Sequence, residues 1–212
     1  MSREHMDYSR IESVVMPRST FNRMPRRYGT TSQGLLTPFF VKEINPGDTA
    51  SLDLGATIRQ IIPPKFPVMD KVVCDVFSFF VPNRLVWEHW KEFMGPENNV
   101  SAWTPSQTYQ VPTAQVMDGS TLGGDVAHTW TFAHVGSLWD KMGLPVVADD
   151  FASPGTVQFG VNVLPFRGYK LIWNEFFRDQ NLQAPVLVNM TDTASYSDLV
   201  ADSDSGTGAE LF

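Results

Sequence analysis

Proline and glycine interrupt this chain so often that no long, unbroken helix fits into it: fifteen of each are spread over 212 residues. Proline removes a backbone donor and fixes φ, and glycine lowers the propensity of any regular element that contains it. Together with 12% aromatic residues, this spacing predicts many short segments separated by turns, as in all-β proteins with long loops. Helical bundles are disfavoured. The length suits one hydrophobic core and is short for two comfortable domains. A composition of 42% hydrophobic and 18% charged residues is that of a chain that folds.

The segments between breakers carry readable periods. Residues 35–43 (LLTPFFVKE) and 49–54 (TASLDL) are predicted strands, joined by a turn at Asn45, Pro46, Gly47 and Asp48. Three prolines make residues 61–70 an irregular crossing. Residues 72–81 (VVCDVFSFFV) form the strongest strand candidate, apolar on both faces and therefore central. Pro82 ends it, and Asn83 is placed to cap a helix running to Met94, with Val86, Trp90 and Phe93 at helical spacing and Gly95 as the stop. Loops dominate from Asn98 to Gly155, with a strand expected at 126–132 and a short helix at 138–142. A further strand is expected around 157–163, a helix over 166–179, and the start of one more strand at Val186 and Val188.

Charge divides the chain more sharply than its net −7 indicates. Residues 1–30 hold six arginines against Glu4, Asp7 and Glu12, whereas the remainder holds 10 basic and 20 acidic groups. A basic arm (1–30) thus precedes an acidic body, and Pro17 and Pro25 keep the arm extended. Its arginines, interleaved with Tyr8, Phe21 and Tyr28, could neutralise phosphates and stack on single-stranded bases, or dock on a protein partner. The last segment, 191–212, carries five acidic residues and no basic ones among many Ser, Gly and Thr, and reads as a loop or insertion.

Catalytic chemistry finds little support. Cys74 is the only cysteine, which excludes an internal disulfide, and its neighbours make it a small buried apolar group within a strand. His128 and His134 are the only close histidine pair and have no third ligand at a recognisable distance, so no metal site is expected. No phosphate-binding loop, dinucleotide glycine pattern, nucleophile elbow or H-E-x-x-H occurs. Neither catalytic residues nor a cofactor are expected. The aromatic set Trp87, Trp90, Phe93, Trp173, Phe176 and Phe177 fits the core-facing side of two helices, with Glu88, Lys91, Glu175 and Arg178 turned to water. No stretch of about 18 apolar residues is present, and the first 30 residues lack the apolar core of a signal peptide, so neither a membrane span nor secretion is expected.

Four longer blocks carry a resemblance: LTPFFVKEINPGDT at 36–49, FPVMD at 66–70, FFVPNRLVWEHWKEFMG at 79–95 and LPFRGYKLIWNEFFRDQNL at 164–182. In these words, their order and their approximate spacing, the chain resembles the major capsid protein of the microviruses, in particular the gokushovirus branch. The resemblance covers roughly residues 18–190 and is weakest from 98 to 155. It implies a mainly β protein, a viral jelly roll (β-sandwich) with long loop and helical insertions that is incomplete in this chain, since about six strand candidates are found where about eight are needed.

The same resemblance implies a structural, non-enzymatic subunit of a small icosahedral capsid around circular single-stranded DNA, found in the virion after synthesis and assembly in the bacterial host cytoplasm. Its partners would be other capsid subunits, scaffolding and minor virion proteins, and the packaged DNA, without a membrane. The expected organisation is a basic arm (1–30), the first part of the jelly-roll domain (31–190) and the start of an acidic surface insertion (191–212). Arg18, Arg23, Arg26 and Arg27 would face inward toward DNA phosphates or neighbouring subunits. Two other readings use similar scaffolds: a carbohydrate-binding β-sandwich, which needs exposed aromatics on a flat face, and a cupin-like enzyme, which needs clustered His and carboxylate ligands.

Overall fold

The computed structural model describes residues 17–61, 65, 66, 69, 71–95, 109–117, 135–146 and 158–199. Its regular elements, in chain order, are α1 (Trp90–Phe93), β1 (Thr113–Met117), α2 (Leu138–Lys141), β2 (Gln158–Asn162), α3 (Leu164–Ile172) and α4 (Tyr196–Leu199). A 3₁₀ turn, Asn83–Leu85, precedes α1, and a π-helical turn, Trp173–Phe177, continues α3.

Helix α3 is the organiser. The Asn162 side chain accepts the Leu164 N–H at 2.9 Å, satisfying one of the donors a helix start leaves open, and Pro165 occupies a first-turn position where its missing N–H costs nothing. Phe166, Tyr169 and Trp173 then recur at helical spacing and enter the main core with Ala114, Leu138, Trp139, Val161, Val163, Ala194 and Leu199. Leu164 belongs to a second cluster with Val86 and Trp87, against which Val81, Trp90, Tyr109, Val111 and Leu171 pack. The helix begins two residues before the expected 166. It widens into the π turn and stops at Arg178, whose backbone is extended.

The described residues contain one two-stranded antiparallel sheet, with Thr113 opposite Asn162 and Met117 opposite Gln158. β2 coincides with the strand expected around 157–163, whereas β1 lies in a stretch expected to be loop. The strand expected at 126–132 falls outside the described residues. Residues 35–43, 49–54 and 72–81, expected as strands, form no ladder among the described residues. A strand is defined by its partner, and no described strand pairs with them. Cys74, expected to be buried, is therefore exposed, as are Val72, Val73 and Phe80. The turn between the first two segments is present, with Asp48 N–H donating to Asn45 O at 3.1 Å and Gly47 at φ +88°.

Two further expectations are corrected by long-range contacts. The single helix expected over 83–94 is broken between Val86 and His89, because the Glu88 N–H donates to Met190 O at 3.0 Å instead of continuing the helix. The extended chain at Val186 is held by the Asn174 side chain, whose amide donates to Val186 O at 2.8 Å and accepts Val186 N–H at 2.9 Å, rather than by a neighbouring strand. Helix α2 forms where expected, capped by Ser137 and stopped at Gly143, φ +88°.

Candidate functional site

Among the four arm arginines singled out from the sequence, the structure separates two kinds. Arg18 Nη1 donates to Gly47 O at 3.3 Å, gripping the turn at 45–48. Arg27 Nε donates to Phe39 O at 3.2 Å and its Nη2 to Lys141 O at 2.8 Å, at the carboxyl end of α2. Lys141 in turn donates from Nζ to Thr30 O, so this stretch of arm is tied to α2 from both sides. A side chain at Gly143 would collide with the Arg27 guanidinium, which lies directly against that backbone. Arg23 and Arg26 are exposed and make no hydrogen bond or ion pair among the described residues. Phe21 and Tyr28 are exposed as well, at 77% and 91%.

A buried ionic clasp was not legible as such. Arg167, on α3, is fully buried, and all five of its N–H donors have acceptors. Nη1 reaches Val86 O (3.3 Å) and Thr191 O (2.9 Å). Nη2 reaches Thr193 O (3.1 Å) and Asp198 Oδ2 (3.1 Å), and Nε reaches Asp198 Oδ1 (3.3 Å). The Asp198 carboxylate also accepts from the Ser195 N–H at 2.9 Å and from Asn189 at 3.4 Å. Lys170, one turn on, is buried and donates to Ser197 O. The beginning of the acidic segment read as loop, residues 191–199, is thereby folded against α3 and contributes Ala194 and Leu199 to the core. The available signal was two cations, Arg167 and Lys170, standing among the core-facing aromatics of a helix, where a charge persists only if its donors are met.

A second polar cluster joins the broken helix to the same segment. Asp192 Oδ1 accepts from Trp87 Nε1 at 2.6 Å and lies 2.9 Å from His89 Nδ1, while the His89 ring stacks on Tyr109 with centroids 4.4 Å apart. The hydrogen bond to Asp192 raises the His89 pKa above its ordinary value, with Glu88 and Glu92 adding to the effect. Burial pushes the Asp192 carboxyl up, but the hydrogen bonds from Trp87 and His89, with the charges of His89 and Arg167, outweigh it and hold the group below its usual range. One histidine and one aspartate bridging two segments make a structural tie. No group of three or more His, Cys, Asp or Glu side chains able to hold a metal occurs among the described residues, and His128 and His134 lie outside them.

The aromatic set divides. Trp87 and Trp173 are buried, Trp90 and Phe177 half-buried, and Phe93 and Phe176 exposed, with Phe176 at 4.9 Å from Phe79 between ring centroids. Glu88, Lys91 and Glu175 are exposed as expected, whereas Arg178 is half-buried and donates to Gln183 O. An open apolar groove of about 320 Å³ lies beside β2 and α3, lined by Val41, Met142, Leu144, Val161, Pro165 and Phe166 among others. It contains no converging titratable groups. No described helix is long and apolar enough to cross a membrane.

Comparison with known proteins finds capsid proteins. Residues 9–212 match the family model of the capsid protein (F protein) of phages. The chain is 36% identical over 185 residues to capsid protein VP1 of Bdellovibrio phage phiMH2K, which covers 87% of this chain and 30% of the relative. It is 34% identical over 179 residues to capsid protein VP1 of Chlamydia phage 1, covering 83% and 26%. Capsid protein VP1 of Spiroplasma virus 4 is 27% identical over 192 residues, covering 89% and 30%. The chain thus spans less than a third of the length of these relatives. With a family model matched over nearly its whole length and the resemblance carried by the four sequence blocks, the chain belongs to the phage capsid protein (F protein) family.

Proposed function

We propose that this chain is the part of a microvirus capsid subunit that supplies the first segments of a jelly roll, and that the subunit tiles a small icosahedral shell around circular single-stranded DNA. Membership of the capsid protein family over residues 9–212 is the observation that carries this reading. The segments at 35–43, 49–54 and 72–81 support it, because they are sheet-forming sequences without sheet partners among the described residues. In this reading the arm at 1–30 faces the interior, residues 31–190 build the shell, and 191–212 lead into an acidic surface insertion. The subunit turns over no substrate. Its partners are further capsid subunits, scaffolding and minor virion proteins and the genome, and it is made in the host cytoplasm before residing in the virion.

The carbohydrate-binding alternative needs exposed aromatics on a flat face; the four described tryptophans are buried (Trp87, Trp139, Trp173) or half-buried (Trp90), and the exposed Phe39, Phe40 and Phe80 stand on segments that form no sheet among the described residues. The test is compositional. Particles that band together with single-stranded DNA are digested with trypsin, and the peptide spanning residues 171–178, which follows Lys170 and ends at Arg178, is quantified. The proposal expects it among the dominant protein of the particle. Its absence from purified, DNA-containing particles would discard the shell assignment.

A further inference from the structure

Between residues 17 and 30 there are four arginines and no acidic residue, yet the four are not equivalent. The outer two, Arg18 and Arg27, spend their donors on carbonyl oxygens of Gly47, Phe39 and Lys141. These bonds neutralise no charge, but they fix where the intervening chain runs. The inner two, Arg23 and Arg26, are exposed and make no hydrogen bond or ion pair among the described residues. Beside them stand Phe21 at 77% exposure and Met24 at 81%.

We infer that residues 18–27 form a bracket: its ends are clipped to the chain's own backbone, and its middle, Arg23 and Arg26 with Phe21, meets the phosphates and bases of one nucleic-acid strand. The inference rests on the proposed function for its partner and goes beyond it by dividing the arm into holding and binding residues. A clipped bracket is suited to this task. The clips remove much of the conformational freedom that a loose arm would lose on binding, so the guanidinium groups are presented with less entropy left to surrender. Free guanidinium groups bind phosphate oxygens bidentately, and an exposed phenylalanine ring offers a stacking surface to any base, which is how a protein holds a single strand without reading its sequence. Glu43, whose carboxylate accepts from Asn162 at 3.0 Å, is already engaged within the body.

The division is tested on the 212-residue chain by titrating fluorescently labelled oligo-dT over a range of salt and, in parallel, following trypsin cleavage at Arg23 and Arg26. Each phosphate neutralised contributes about 0.7 to the salt slope for a single strand. The double variant R23A/R26A is expected to lower the slope by about 1.4, and F21A to weaken binding roughly tenfold with the slope retained. R18A/R27A is expected to keep the slope and to accelerate cleavage at Arg23 and Arg26. If R18A/R27A flattens the slope as much as R23A/R26A, or leaves cleavage unchanged, the clips are wrong and the inference is overturned. If cleavage accelerates but neither pair alters the slope, the bracket exists without a nucleic-acid role, which overturns the binding half and leaves the shell assignment to the particle experiment.

Discussion

Arg167 shows how much a single residue can hold when every one of its donors is met. Replacing it by methionine keeps the volume of the stem but leaves Asp198 buried without its cation, a change that costs about 3–5 kcal/mol in comparable buried pairs. Arg167→Lys is expected to recover only part of this, because a single ammonium group with three donors cannot serve acceptors on Val86, Thr191, Thr193 and Asp198 together. Chemical denaturation of the two variants beside the parent chain measures the difference, and equal stability of the lysine variant and the parent would refute the five-bond account. At Gly143 the backbone is left-handed, φ +88°, and the Arg27 guanidinium fills the space a Cβ would take. Asn accepts this φ more readily than Ala. Gly143→Asn should therefore fold and still displace Arg27, seen as faster cleavage of the arm.

His89 and Asp192 give stability a defined dependence on pH. His89 has its pKa raised above the ordinary 6.5, so its contribution is complete below that value and is lost as pH climbs through the raised one. Asp192 has its pKa lowered from 3.8, so its contribution is complete above that value and is lost as pH falls through the lowered one. The tie between the two segments is complete from about pH 4 to about 6.5, the ordinary values of the two groups, and weakens beyond them. Asp192→Asn removes the charge while keeping an acceptor for Trp87. It is expected to flatten the stability profile on the alkaline side, read from the midpoint of urea unfolding between pH 5 and 8. An unchanged profile would show that His89 titrates independently of Asp192.

At the scale of elements, what could be read in advance depended on how local the cause was. Helix α3 was legible because Phe166, Tyr169 and Trp173 repeat at 3.6-residue spacing, although its start at Leu164 was not. Helix α2 was legible from its stop at Gly143 and Pro145, whereas its cap at Ser137 emerged only with the structure. The break at 86–89 was not, since its cause is Met190 O, about a hundred residues away. The segments 35–43 and 72–81 were read as strands and form no ladder among the described residues, because alternation of side chains says nothing about whether a partner is present. In the arm, residue type identified all four arginines as cations, while occupancy, the property that separates Arg18 and Arg27 from Arg23 and Arg26, exists only in three dimensions. Asn174 makes the same point, since its amide replaces a ladder pair. Asn174→Ala should free the chain around Val186 at a cost of about 1–3 kcal/mol, checked by hydrogen exchange at the Val186 amide.

For the whole molecule, the contrast is between a core organised around α3 and a long apolar stretch that stays largely exposed. Phe39, Phe40, Val41, Leu52, Leu54, Val72, Val73, Phe77 and Phe80 are all at least 40% exposed. Such a surface exceeds what soluble monomers ordinarily show. The chain by itself is expected to bind a hydrophobic dye strongly and to associate as its concentration rises. Sedimentation of a monodisperse, dye-silent monomer at micromolar concentration would contradict the exposed arrangement of residues 39–80. The buried residues of the main core, by contrast, run from Ala114 to Leu199 with Leu36 packed against them, so the stretch around 49–77 should loosen before that core on warming.

The ring of acceptors around Arg167 also sets a timetable. One acceptor comes from Val86, and the other four bonds end on residues 191–198. While the polypeptide is still being made, Arg167 is added before Thr191, Thr193 and Asp198, so α3 cannot bury this cation until that later segment has also left the ribosome. Until Asp198 has followed it out, that face of the helix stays in water, and closing of this core waits on a segment made after the helix it neutralises.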